Sequence, residues 1–215
     1  MLPSLLEGLV ARNLQDGLGL AEAPEVNLVS DPAPSVLWGR SEEGEITLTN
    51  PEFGGVRPDE VMIDLEPFDI DVRGSVASGR IESGRPLSGT LRAELSEEEV
   101  TRLAAFSETL AAPVRGVRLE EGYIVVGFEV EALGTRVPVG VEGEVVLRDG
   151  GELGFEARRL DVLGEPLPER LTRRLLEGVD FVYPVELPFE GEISRVEIHE
   201  DRLVLTGEVS DLSAG

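Results

Sequence analysis

The sequence predicts an α+β fold that is mostly β, in which a strongly curved antiparallel sheet wraps around amphipathic helices. Apolar and polar residues alternate in many segments of the chain, which is the two-residue period of half-buried strands. Turn signals separate successive segments, and strands joined by short turns pair antiparallel. A regular alternation of strands and helices is missing, which argues against a parallel doubly wound sheet.

The chain starts with a predicted amphipathic helix. Its apolar residues recur at steps of three and four, so they share one stripe, and Gly17 and Gly19 end it. The stripe consists of Leu2, Leu5, Leu6, Leu9, Val10 and Leu14.

Alternating strands dominate the rest of the first half. The predicted strands are EVNLVS (25–30), GEITLT (44–49), DEVMIDLEPFDID (59–71) and PLSGTLRAEL (86–95). Asn50-Pro51 and Gly54-Gly55 are breakers, and they predict a hairpin with a long loop between the second and third of these strands.

Two further helices are predicted. Ser96 and Glu99 form a capping box, so a helix begins after Ser96 and turns Leu103 inward. The segment PLPERLTRRLLEG (166–178) is the other helix, with Pro168 in its first turn and Gly178 at its end.

The second half contains the longest strand. From Thr135 to Leu147 the odd positions are almost all Thr, Val or Leu, which predicts a strand of about 13 residues, longer than the usual range of roughly 3–10. In ELGFEARRLDV (152–162) the apolar phase shifts, which predicts a bulge near Arg158–Arg159. The closing segment 192–209 is a predicted hairpin with its turn at HED.

The length of 215 residues fits one domain, 1–215, with ample material for a core. A faint repeat of the Glu-Glu-Gly opening relates the halves 1–112 and 113–215, and chance similarity of two hairpins explains it equally well.

The net charge of -24 argues against nucleic acid and against more than transient contact with an anionic membrane. Cysteine is absent, so disulfides and thiolate chemistry are excluded. No apolar run reaches the 18 residues of a spanning helix. The N-terminus has no basic segment, so no leader peptide is predicted.

No catalytic or metal-binding constellation emerges, and no cofactor is predicted. His199 is the only histidine and lies in a predicted solvated turn, whereas a catalytic triad needs a rigidly held histidine. The 43 acidic residues fall mostly on wet strand faces, and a glycosidase-like pair needs two acids in an apolar cleft.

Without a catalytic or metal site, the remaining candidate feature is the apolar surface of the predicted strands and helices. This surface predicts a binding site for an acyl chain. If the helices fill the curved sheet only partly, a tunnel is left for a lipid tail, and each buried methylene contributes about 0.8 kcal/mol. The predicted lining residues are Leu5, Leu9, Leu103, Phe128, Val137, Val139, Val141, Val145 and Phe155.

One alternative is a structural or protein-interaction module with a packed core and an exposed apolar patch near Trp38 or FVYPVELPF (181–189). Another is an enzyme with two acids buried side by side.

The order of short motifs resembles one known family. In the second half, an LG turn, a VPV strand, a DG turn, a PLP helix and a closing RLVLTG hairpin follow one another. In the first half, an apolar helix, LGL, a Pro-Glu-Val strand and LSEEEVTRL do so. Over nearly its whole length the chain resembles the LmeA-like phospholipid-binding family of actinobacterial cell-envelope proteins.

The resemblance implies a tubular lipid-binding fold. It also implies non-enzymatic binding or carriage of a phospholipid, in an extracytoplasmic location such as the periplasm or cell envelope, in connection with envelope lipid or lipoglycan metabolism.

Overall fold

The computed structural model describes residues 3–29, 40–78, 81–105, 113–132, 135–148, 151–162, 165–166 and 182–212. The helices in this part of the chain are α1 (Pro3–Leu18), α2 (Val72–Ser78) and α3 (Glu97–Ala105). The strands of the first half are β1 (Glu25–Val29), β2 (Arg40–Ser41), β3 (Glu43–Thr49), β4 (Glu60–Leu65), β5 (Phe68–Asp69) and β6 (Gly89–Ser96). Those of the second half are β7 (Val114–Glu120), β8 (Tyr123–Ala132), β9 (Thr135–Arg148), β10 (Glu152–Val162), β11 (Glu165–Pro166), β12 (Val182–Pro184), β13 (Glu190–His199) and β14 (Arg202–Asp211).

The predicted fold class is confirmed, because the chain is mostly β with a strongly curled antiparallel sheet and few helices. The first sheet has the strand order β1-β3-β4-β6-β14-β13, and the second has the order β11-β10-β9-β8-β7, with β12 also paired to β10. A short third ladder joins β2 and β5.

The chain divides into two compact units. Unit 1 holds the described parts of Met1–Ala93, Glu186–Glu192 and Thr206–Gly215. Unit 2 holds those of Glu94–Val185 and Ile193–Leu205, and therefore the whole second sheet. Within unit 1, α1 packs against β1, and within unit 2, α3 packs against β7.

Most predicted elements are confirmed. The strand expected at 135–147 is β9, and its 14 residues include every position of the predicted alternation. The helix start predicted after Ser96 is also confirmed, because α3 begins at Glu97. Three acidic residues in its first turn stabilise the helix, because negative charge interacts favourably with the positive N-terminal end of the helix dipole. The helix predicted at 166–178 lies outside the described residues except for its first residue.

One prediction was wrong in extent. The segment 59–71 was expected to be a single strand, but β4 ends at Leu65 and only the short β5 follows. Pro67 lies between them, and proline lacks the N–H that a continuing ladder needs. Helix α2 was not predicted at all.

Helix α3 covers the edge of the second sheet. The backbone N–H of Leu119 donates to Glu97 Oε1 at 2.7 Å, and that of Val117 donates to Thr101 Oγ1 at 2.8 Å. The two acceptors are one helical turn apart, and the two donors are alternate residues of β7. The side chains of α3 therefore satisfy backbone donors of an edge strand that has no neighbour on that side in the sheet order.

Candidate functional site

The sheet residues predicted from the sequence lie together on one face of the second sheet. The strand register places Phe128 beside Val139 and Phe155 beside Val145. Side chains alternate along a strand, so these pairs point to the same side. We call this side the apolar face. On β7 to β10 its members include Val117, Leu119, Ile124, Val126, Phe128, Val137, Val139, Val141, Val145, Leu153, Phe155 and Leu160.

A β-bulge keeps the apolar face continuous along β10. The register shifts between Ala157 and Arg159, after which Leu160 lies beside Val141. Without the extra residue, Leu160 would lie on the opposite side, because a shift by one residue reverses every side chain. The bulge predicted near Arg158–Arg159 is confirmed.

Burial along the apolar face is uneven. Val141 and Phe155 each expose only 1% of their surface, whereas Val137, Val139 and Val145 are half-buried. A side chain that lines an open tunnel stays accessible to a water-sized probe. Val141 and Phe155 are therefore packed against protein, whereas the three other valines, on both sides of Val141 along β9, are only partly buried.

The three predicted helix residues belong to two different units, since Leu5 and Leu9 lie on α1 of unit 1 and Leu103 lies on α3 of unit 2. Leu103 lies on α3, half-buried, in the helix that packs against β7. Leu9 lies on α1, also half-buried, and so belongs to unit 1 rather than to the unit that holds the apolar face. Leu5 is part of α1, but its side chain lies outside the described part of the chain. A lipid-contacting role for the nine residues stays a prediction.

Reactive groups are dispersed in the described part of the chain. No cluster of three or more His, Cys, Asp or Glu side chains suited to a metal ion occurs there. Glu99 is the one buried acid among the described residues, and its carboxylate is paired with Arg102. His199 Nδ1 lies 3.5 Å from Glu121 Oε1, and both side chains are exposed.

The opposite face of the second sheet carries a cavity of about 590 Å³, a size within the usual range of roughly 300–1,000 Å³ for ligand pockets. We call it the glycine trough, because its floor contains Gly116, Gly127 and Gly140. Phe128 and Val139 also contribute, and strand alternation means that they do so with their main chain. Sequence reasoning missed this site, although glycines inside strands were a signal for it.

Among the described residues, no helix is long and apolar enough to cross a membrane. The profile of the LmeA-like phospholipid-binding family matches residues 1–208. The chain belongs to this family. No curated protein and no solved structure matches the chain.

Membership in the LmeA-like family covers both units, since the match runs through nearly the whole chain. A phospholipid presents two kinds of surface to a protein, an apolar tail and a charged headgroup. The second sheet carries apolar side chains on one face and a cavity lined by charged side chains on the other.

Proposed function

We propose that this protein binds a phospholipid without changing it chemically, by holding an acyl tail against the apolar face of the second sheet. The observation that carries the proposal is the half-buried state of Val137, Val139 and Val145. They share a face with packed residues, but they are themselves only partly buried. A 16-carbon tail would gain roughly 10 kcal/mol gross on full burial, before the costs of ordering.

The proposed tail site consists of the half-buried valines of β9 and does not include the fully packed residues of the same face. Val141 and Phe155 lie on the same face but expose only 1% of their surface, so they do not contact the tail directly. The half-buried valines provide the contact. Such a site works by burial of apolar area alone, so the proposed activity is binding and carriage rather than catalysis.

The proposal is tested by lipid uptake. The lipid-free full chain is mixed with phosphatidylglycerol vesicles, re-isolated and examined by native mass spectrometry. We expect bound phospholipid on the natural chain and at least tenfold weaker uptake by Val139→Asn. The substitution removes methyl groups and adds an amide that has no partner against a tail, and about 1.4 kcal/mol is a factor of ten.

Val29→Asn is the matched control. Val29 is a strand valine with 49% exposure and lies on β1 in unit 1, so the same change should leave uptake unaltered. Circular dichroism confirms that both variants are folded. Recovery of bare protein only, or equal uptake by Val139→Asn, would overturn the proposal.

A second candidate is a protein-interaction module with a packed core, and the tight packing around Val141 and Phe155 favours it. Of the patch expected at 181–189, Val182 is 39% exposed but Phe189 is only 7% exposed. Trp38 lies outside the described residues. Failure of lipid uptake in the experiment above is the result that would favour this candidate.

We also propose that the protein works in the cell envelope, outside the cytoplasmic membrane, as a carrier of lipid with at most transient membrane contact. Membership in the LmeA-like family supports this location. Fractionation of cells that express the tagged chain tests it, and recovery of the tag only with cytoplasmic markers would contradict it.

A further inference from the structure

Unit 1 contains a cavity of its own, beside the start of β1 and the end of β3. Its volume is about 460 Å³, which is within the usual range of roughly 300–1,000 Å³ for ligand pockets. Its lining residues are 19–25, which link α1 to β1, and 47–52, in which β3 ends. Both segments belong to unit 1. We call this cavity the unit 1 pocket.

The first wall of the unit 1 pocket starts at a capped helix end. Gly19 has a φ of 65°, a left-handed value that glycine adopts without strain. The N–H of Leu20 donates to the Gln15 carbonyl oxygen at 2.9 Å, which is the outer hydrogen bond of a Schellman cap. The chain therefore leaves α1 in a fixed direction and enters the wall from there.

The second wall is fixed as well. The N–H of Asn50 donates to the Asp59 carbonyl oxygen at 2.9 Å. Pro51 in this wall and Pro24 in the first are both buried, and each proline ring locks its own φ. The unit 1 pocket is therefore formed before a ligand arrives, and a preformed site binds at a lower entropic cost.

The unit 1 pocket is lined by acids, and none of its lining residues is basic. Its three carboxylates belong to Glu22, Glu25 and Glu52. Glu52 is paired with Arg57 at 3.0 Å, outside the lining. Glu22 and Glu25 have no ion-pair partner in the described part of the chain. The local field therefore favours a cation and repels a phosphate or carboxylate.

One carboxylate and one hydroxyl group lie side by side in this lining. The register places Glu25 of β1 beside Thr47 of β3, and facing residues of an antiparallel pair have Cβ atoms about 4.5–5.5 Å apart. Neither side chain has a hydrogen-bond partner among the residues that the structure describes. Both groups accept hydrogen bonds, and an ammonium group has three N–H donors. A single ammonium group can therefore contact both.

The rest of the lining includes aliphatic side chains and contains no aromatic ring. Leu20, Ala21, Ala23, Pro24 and Pro51 provide apolar surface. Quaternary ammonium ligands are typically held by cages of aromatic side chains, and such a cage is missing from this lining. A primary ammonium on an aliphatic stem fits both parts of the pocket, because its head donates hydrogen bonds and its stem leaves water.

We propose that the unit 1 pocket binds a linear aliphatic primary amine. The ammonium group donates to the Glu25 carboxylate and to Thr47 Oγ1, and hydrogen bonds between charged groups are stronger than neutral ones. The methylene stem packs against Leu20, Pro24 and Pro51. The amine is either a free solute or the side chain of a lysine on another protein.

This site is independent of the proposed tail site. The unit 1 pocket lies in unit 1, whereas the half-buried valines of β9 lie in unit 2. A phospholipid headgroup carries a phosphate, for which the lining has no base. Val139→Asn should therefore impair lipid uptake and leave amine binding intact. Failure of one proposal leaves the other standing.

Calorimetric titration of the full chain with 1-aminopentane tests the site. The ionic strength is about 0.15 M, where the Debye length of about 8 Å screens diffuse attraction of cations to the acidic surface. We expect saturable binding at a single site. Binding of pentyltrimethylammonium, which has no N–H, and of 1-pentanol, which has no charge, should each be at least tenfold weaker. Equal binding of pentyltrimethylammonium would mean attraction by net charge alone and would overturn the proposal.

Glu25→Gln tests the ionic contact. It keeps the size of the side chain and removes its charge, so binding of 1-aminopentane should weaken at least tenfold. Glu43→Gln is the matched control, because it removes the same charge from an exposed position of β3 that does not line the pocket. Absence of saturable binding to the natural chain, unchanged binding to Glu25→Gln, or an equal loss with Glu43→Gln would each contradict the proposal.

Thr47→Val tests the hydroxyl contact without changing the charge. Valine suits a strand, and loss of one hydrogen bond should weaken binding of 1-aminopentane by roughly two- to tenfold. Thr90→Val, at an exposed position of β6 in unit 1, should leave binding unaltered. Circular dichroism checks that all four variants are folded. Full binding by Thr47→Val would show that the amine lies elsewhere.

A lysine derivative separates the two sources of the amine. N-acetyl-lysine N-methylamide carries the same kind of ammonium stem on a short piece of peptide main chain. If it binds as tightly as 1-aminopentane, the ligand is assigned to a lysine of a partner protein. If only 1-aminopentane binds, the ligand is assigned to a free amine. Both results support the site.

Discussion

The two faces of the second sheet use glycine for opposite purposes. On the apolar face, Gly143 lies beside Ile124, and a Cβ there would come within 2.4 Å of the Glu156 carbonyl oxygen. That glycine permits close packing. On the other face, Gly116 has no atom near its missing Cβ, and that glycine creates space. The difference shows that a glycine in a strand becomes informative only when its surroundings are known.

Removal of a large side chain packed on the apolar face should cause the largest loss of stability. Phe155→Ala should lower the free energy of unfolding by about 3–5 kcal/mol, because it deletes a buried ring and leaves a cavity. Urea denaturation followed by circular dichroism measures the change. A loss below about 1 kcal/mol would mean that Phe155 borders a void already, and the apolar face would then not be packed at its centre.

A methyl group at the close-packed glycine should have an intermediate effect. Gly143→Ala places a Cβ 2.4 Å from the Glu156 carbonyl oxygen and 2.6 Å from the Phe155 ring, so main chain and ring must both move. We expect a destabilisation of about 1–3 kcal/mol by the same assay, as is typical of overpacking. An unchanged urea midpoint would contradict the close approach of β9 and β10 at this point.

A glycine-to-alanine substitution on the other face should change the stability least and should increase it. Gly116→Ala should stabilise the chain by about 0.5–1 kcal/mol, because the methyl group meets no obstacle and the unfolded chain loses freedom. The urea midpoint should rise slightly. A fall in the free energy of unfolding by more than about 1 kcal/mol would show that the β7 bulge beside Gly116 needs this glycine. Only Gly127 and Gly140 would then remain as glycines that create space on this face.

The structural features that the sequence predicted correctly are those that a local pattern of residues determines. Alternation from Thr135 to Leu147 was enough for β9, and the phase shift at Arg158–Arg159 was enough for the bulge, because each signal lies within one strand. The Ser96 and Glu99 pattern was likewise enough to predict the start of α3. These features need no knowledge of distant residues.

Helix α2 was missed because contacts with other segments stabilise it. Its segment is short and contains Gly74, which is a poor helix former. The one local signal is Asp71, whose Oδ1 accepts hydrogen bonds from the N–H groups of Arg73 and Gly74, as an N-cap does. The buried Ser75 Oγ then accepts from the N–H of Glu82, and such a tertiary bond cannot be read from a local pattern.

The glycine trough was missed for a different reason. Its three glycines are separated along the chain and become neighbours only through the register of β7, β8 and β9. Likewise, the half-buried state of Val139 and the full burial of Val141 depend on what packs above each residue, although both belong to the same alternating run. Strand pattern identifies a face, but packing decides which part of that face a ligand can reach.

The hydrogen bonds from Leu119 and Val117 to the side chains of α3 have a consequence for self-association. An uncovered edge strand is a template on which a second polypeptide can lay down another strand, and repeated addition of that kind builds fibrils. At these two positions an incoming chain would find the donors of β7 already occupied, and it could pair there only after dislodging α3. Resistance to templated growth at this edge therefore depends on two side chains, Glu97 and Thr101, that belong to no strand.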